Sequence, residues 1–125
     1  MPHEQFKSCI DACNACAEAC DHCAASCLKE SDVKAMARCI ALDVDCAEIC
    51  RLAAAYMSRG SERAQDMCAL CAEVCEACGE ECAKHQKMEH CRQCAEACRR
   101  CAEECRRMAG GSRGRAGRSD RVSAH

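Results

Sequence analysis

Cysteine recurs along this chain at alternating steps of three and four residues. One run reads Cys9, Cys13, Cys16, Cys20, Cys23, Cys27; a second Cys68, Cys71, Cys75, Cys78, Cys82; a third Cys91, Cys94, Cys98, Cys101, Cys105. Such steps keep side chains on one face of an α-helix, in a stripe that winds slowly around it. In an ordinary helical bundle those positions hold Leu, Ile or Val. Here the stripe is written in thiols. Cys39, Cys46 and Cys50 form a sparser run between the first and second, and the total is 19 cysteines in 125 residues.

Large apolar side chains are scarce. Leu, Ile, Val and Phe together number only 12, a level at which chains ordinarily fail to fold. The helical period, the abundant alanine and the lack of any interior proline argue against disorder, and buried cysteine behaves as a small hydrophobe. Such a thin core implies added stabilisation from metal or from oligomerisation. One tyrosine and no tryptophan leave little for an aromatic ligand pocket.

Punctuation divides the chain into four helical segments. The first is predicted from about His3 to Lys29, before Ser31-Asp32, and the second from that pair to about Ser58, with Gly60 as a stop. The third runs from after Ser61 to about His85, and the fourth from about Glu89 to Met108, ended by Gly110-Gly111. Short loops make neighbours antiparallel, so the expected fold is all-α: an up-down-up-down four-helix bundle with a cysteine-lined core. Residues 1–109 form this bundle and 110–125 a disordered Gly/Ser/Arg tail. That tail carries Arg113, Arg115, Arg118 and Arg121. Four arginines without aromatics make a weak nucleic-acid signal, and the plainer reading is a solubilising tail.

Extending the stripes separates two ends. Phe6, Ala53, Met57, Ala64, Met67 and Met108 gather at one, which reads as apolar and closed. The other collects Cys27, Met36, Cys39, Cys82, His85, Met88, His90 and Cys91, soft or borderline donors that suit a mouth. His85 lies in register three residues after Cys82, whereas His90 falls off the strict stripe. The five methionines Met36, Met57, Met67, Met88 and Met108 read mainly as packing. Asp43 stands where the second segment's stripe could carry a cysteine, with Leu42 competing for the inward position. His3, His22 and His125 carry no usable signal. Leu42, Ile49, Leu52 and Tyr56 make a second apolar stripe that a homo-oligomer contact would bury.

Met1–Lys7 shows no basic segment followed by an apolar run, and no stretch approaches the roughly 20 apolar residues of a membrane span. A cytosolic location with reduced thiols is therefore expected, which favours metal over disulfides, and 19 cysteines cannot all pair within one chain. Neighbouring cysteines on a helix have Cβ atoms about 5–6 Å apart. With metal–sulfur bonds of about 2.3 Å, two sulfurs on one ion lie up to about 4.6 Å apart. A soft, low-coordinate ion suits such a ladder, and Cu(I) is the ion that thiolates select. One monovalent ion per thiolate also neutralises a core that bare thiolates would make prohibitively unstable. Zinc wants isolated tetrahedral sets. Iron–sulfur motifs lie in loops, and redox CxxC motifs occur singly at helix N-termini.

The run His90-Cys91-Arg92-Gln93-Cys94-Ala95-Glu96-Ala97-Cys98-Arg99-Arg100-Cys101-Ala102-Glu103-Glu104-Cys105 resembles the signature helix of the four-helix-bundle copper-storage proteins. Cys9-x3-Cys13-x2-Cys16-x3-Cys20-x2-Cys23-x3-Cys27 resembles their first helix, and the similarity spans about residues 3–108, nearest to the cytosolic branch. The resemblance implies many Cu(I) ions per chain, all nineteen cysteines as ligands, a homotetramer, and an open end beside His85 and His90. The expected role is a non-enzymatic cytosolic Cu(I) store that exchanges copper with donor or acceptor proteins. The competing reading is a zinc- or redox-responsive structural or sensing bundle.

Overall fold

The computed structural model describes residues 2–113, with side chains described from residue 4 to residue 110. A short helix α1 (Pro2–Gln5) leads into α2 (Lys7–Cys27). Then come a 3-10 turn (Val33–Met36), α3 (Ala37–Ser58), α4 (Ala64–Ala83) and α5 (Glu89–Arg113). The four long helices alternate in direction; each packs on the next, and α5 returns against α2 to close the bundle.

The punctuation in the sequence acts close to where it was expected, with local departures. Phe6 leaves helical geometry and splits the first segment, while its carbonyl still accepts from the Ile10 amide at 2.8 Å. That segment ends at Cys27 rather than Lys29, in a tight turn where the Glu30 amide donates to the Cys27 carbonyl at 3.1 Å. Asp32 caps the next element, its Oδ1 accepting from the Ala35 amide at 3.3 Å, which satisfies a donor that helix starts leave free. The turn it caps is 3-10 before it widens into α3. Gly60 takes a positive φ of 66° in the link to α4, a backbone setting that costs glycine nothing. α4 stops at Ala83, two residues short of His85. α5 passes through Gly110-Gly111 to Arg113. Glycine weakens a helix by about 1 kcal/mol each but, unlike proline, removes no hydrogen bond. From residue 114 onward the expected tail lies outside the described residues.

The interior is built from small groups. All nineteen cysteines are buried, none more than 1 % exposed, among Ala12, Ala17, Ala47, Ala53 and Ala72. The largest fully buried side chains are Met36, Met57 and Asp43. Small side chains let helices approach closely. At Gly79 on α4, an added Cβ would stand 3.2 Å from the Cβ of Cys98 on α5, so the glycine permits that crossing. Outside, Arg51 reaches Asp21 at 2.8 Å across α3 and α2, and Arg106 grips Glu76 at 2.6 Å across α5 and α4. Such exposed pairs contribute about 0–1 kcal/mol apiece; the fold rests on the interior.

Candidate metal centre

The stripes meet along the bundle axis as a chain of sulfurs. At the end formed by the start of α2, Cys9 lies 3.6 Å from Cys105, and Cys105 lies 3.7 Å from Cys13. Cys101 links Cys13 at 3.6 Å to Cys50 at 3.8 Å. Cys50 touches both Cys71 and Cys75 at 3.7 Å. From Cys75 the chain passes to Cys46 at 3.6 Å, to Cys16 at 3.8 Å and to Cys98 at 3.7 Å. Cys98 passes to Cys20 at 3.9 Å, and Cys20 and Cys94, 3.6 Å apart, complete this stretch. All nineteen thiols are free. The spacing of 3.6–3.9 Å falls inside the roughly 4.6 Å that one ion with bonds of about 2.3 Å can span. Bridging therefore needs no helix to move.

Beyond Cys94 a carboxyl takes the place of sulfur. Asp43 is fully buried, while Leu42 is only half-buried, so the aspartate wins the inward position. Its Oδ1 accepts from Cys78 at 3.1 Å, Cys94 at 3.3 Å and Cys82 at 3.6 Å, and its Oδ2 from Cys39 at 3.8 Å. Burial first, then the nearby Cys94 and Cys78 sulfurs, pushes this carboxyl up to about 10. It is a neutral acid at pH 7. Cys39 and Cys82 make their own contact at 3.6 Å on the far side.

The last group lies where α2 ends and α5 begins. Cys23 is 3.9 Å from Cys27 and 3.8 Å from Cys91. His90 Nδ1 faces all three sulfurs, at 3.5 Å from Cys23, 3.5 Å from Cys91 and 3.9 Å from Cys27. The opposite ring nitrogen, Nε2, meets Glu30 Oε2 at 2.9 Å. A carboxylate only accepts, so Nε2 carries the hydrogen; in the neutral ring Nδ1 then offers its lone pair to the thiols. Burial pushes the Cys91 thiol up to about 11 and raises Cys27 for the same reason.

His85 lies at the same end in a different setting. Its Nε2 pairs with Glu81 Oε2 at 3.0 Å, and Glu81 also meets Arg38 and Lys84, each at 3.4 Å. The register that would point His85 inward lapses because α4 has already ended. His90 sits in the first turn of α5, where side chains lean back toward the helix start. That lean carries it over the bundle end although it is off the stripe. Met36 is buried at this end and Met88 half-buried. Glu30 escaped the sequence reading, yet a signal existed: it lies three residues past Cys27, one more step of the stripe.

The opposite end is closed by apolar groups. Cys68 donates to the Met57 sulfur at 3.5 Å. Met57 and Ala64 are buried, with Phe6, Met67 and Met108 packed at half-burial against the core. Donor sets within 4.8 Å of one another occur along the whole axis. They include Cys13/Cys71/Cys101/Cys105, Cys16/Cys46/Cys50/Cys75, Cys20/Cys78/Cys94/Cys98 and Cys23/Cys27/His90/Cys91.

Residues 2–110 match the profile of the family described as copper storage protein. A cysteine-rich protein of Bacillus subtilis (strain 168), YhjQ, is 50% identical over 89 residues, which make up 70% of this chain and 82% of that protein. Among solved structures, the Cu(I)-bound copper storage protein BsCsp3 aligns with a TM-score of 0.79 at 50% identity, covering 82% of this chain and 96% of that one. A cytosolic copper storage protein from Streptomyces lividans carrying five coppers aligns with a TM-score of 0.83 at 43% identity, over 88% and 96% of the two chains.

Proposed function

The chain belongs to the copper storage protein family, and from that premise we propose that it is a cytosolic store holding many Cu(I) ions in its thiol core. The observation that carries the reading is the axial run of free, buried sulfurs, stepping 3.6–3.9 Å from Cys9 to Cys94. Soft thiolates select Cu(I), each ion needs only two or three of them, and each sulfur can serve two ions. Loading exchanges thiol protons for monovalent ions, so the dry interior stays near neutral. A four-ligand divalent ion would leave net negative charge in the same space.

The ligands are the nineteen cysteines with His90 at the end of the line. His85 is a further donor at that end, once it leaves Glu81. The role is storage rather than catalysis, with copper exchanged with donor or acceptor proteins at the histidine end. Among the described residues no helix is long and apolar enough to cross a membrane. The segment after Arg113, with Arg115, Arg118 and Arg121, serves solubility. Assembly as a homotetramer fits the exposed Leu52 on α3, beside half-buried Leu42, Ile49 and Tyr56. Sedimentation should then give the mass of four chains, and a monomer at micromolar concentration would remove that part.

An anaerobic Cu(I) titration against a competing chelator tests the store. Saturation near one ion per thiolate, about nineteen per chain, is expected from the charge balance. Saturation at four ions or fewer sinks the reading.

A further inference from the structure

We infer that in the copper-free chain Cys23, Cys27, Cys91 and His90, backed by Glu30, hold one zinc-class divalent ion in a tetrahedral site, which copper takes over on loading. A tetrahedral zinc ion has bonds of about 2.3 Å to sulfur and about 2.0–2.1 Å to nitrogen, which sets donor separations of about 3.8 Å between sulfurs and about 3.5 Å between sulfur and nitrogen. The protein supplies 3.9 Å and 3.8 Å for the sulfur pairs Cys23–Cys27 and Cys23–Cys91. It supplies 3.5, 3.5 and 3.9 Å from His90 Nδ1 to the three sulfurs. All six donor separations are within 4.8 Å. The four atoms already stand close to the corners that such an ion demands.

The outer contacts agree independently. Histidine ligands of zinc commonly donate their second ring N–H to a carboxylate, which fixes the tautomer and strengthens the donor. Glu30 occupies that place at 2.9 Å from Nε2. It is held there by the turn after Cys27, through the amide of Glu30 itself.

Charge explains why the divalent ion takes this quartet and not the others. An ion with three thiolates and a neutral imidazole carries a net −1, beside a histidine whose side chain is 12% exposed. The interior quartets, such as Cys16/Cys46/Cys50/Cys75, would carry −2 in a dry core with all ligands fully buried, where uncompensated charge is costly. Without copper, the rim is therefore the place for one divalent ion, while monovalent copper suits the whole line. Binding there releases thiol protons and seals the bundle end until a softer ion displaces it.

The test uses the full reduced chain without copper, titrated anaerobically with cobalt(II) and then zinc(II). Expected are tetrahedral cobalt–thiolate absorption bands that saturate at one equivalent and are bleached by zinc, with a displaced ¹⁵N resonance of His90 Nδ1 and a retained Nε2–H. His90→Ala should abolish stoichiometric binding, and Glu30→Gln should weaken it about 10–100-fold. His90→Cys should keep one-equivalent binding with a four-sulfur spectrum, and circular dichroism of each variant verifies the fold. No uptake, uptake of several equivalents, or affinity unchanged in His90→Ala overturns the site. The site does not depend on the copper reading: the experiment contains no copper, and copper capacity is measured separately.

Discussion

Both ends of the bundle are sealed, but by opposite means. At the start of α2 the seal is carbon and thioether: Met57 and Ala64 are buried, Phe6, Met67 and Met108 cover them, and the Cys68 thiol spends itself on the Met57 sulfur. At the start of α5 the seal is one imidazole, with a carboxylate on one nitrogen and three thiols on the other. An apolar lid gains its free energy from leaving water and gives up that gain if it opens. A histidine lid exchanges one polar partner for another at little cost. The first end suits permanence and the second suits traffic.

Four experiments would break or sharpen that contrast. The largest effect belongs to the permanent end: Met57→Ala leaves a cavity among close-packed groups and should lower apo stability by about 2–5 kcal/mol. Denaturant melts would show the loss, while the rate of copper uptake from a chelator should hold; a variant equally slow to load would mean the two ends are not specialised.

The boundary between them comes next. Asp43 has its carboxyl raised in the folded chain from 3.8 to about 10. A raised acid favours the folded state fully below the unfolded value, and that contribution is lost as pH climbs toward the folded one. Apo stability should therefore fall between pH 5 and pH 8, by up to about 1.4 kcal/mol per pH unit. Asp43→Asn should flatten the slope, and a slope that persists would place its origin elsewhere. Asp43→Cys should complete the stripe of α3 and raise copper capacity by about one ion.

At the traffic end, His85→Ala combined with His90→Ala should slow copper loading and removal about tenfold, roughly 1.4 kcal/mol of barrier, with capacity nearly kept. Stopped-flow transfer at unchanged rates would remove the histidines from that role. The smallest effect is the Arg106–Glu76 clasp between α5 and α4. Arg106→Ala should change a melt by about 0–1 kcal/mol and leave both ends as they were.

The helices and the inward thiols were readable because a step of three or four means one thing wherever a helix continues. Asp43 was visible for the same reason, as a carboxylate in a thiol register. The rule weakened where helices stop. His85 is in register three residues after Cys82, yet α4 ends at Ala83, and the side chain turns to Glu81. His90 is out of register with the stripe, yet a first-turn side chain leans back past its own Cα and over the bundle end. Glu30 was reachable by one further step from Cys27, but its partner lies 60 residues away, a pairing that only the closed bundle reveals. The 3-10 turn before α3 and the break at Phe6 rest on local geometry that a periodic pattern does not encode.

For the proposed store, the Met57 closure also implies an order of events. A passage with a door at one side only is a stack rather than a queue. The ion admitted first travels furthest, toward Cys9 and Cys105, and every later arrival stands between it and the way out. In the proposed store, withdrawal should therefore begin with the most recent deposit, and the sulfurs beside Met57 should hold the copper that entered first.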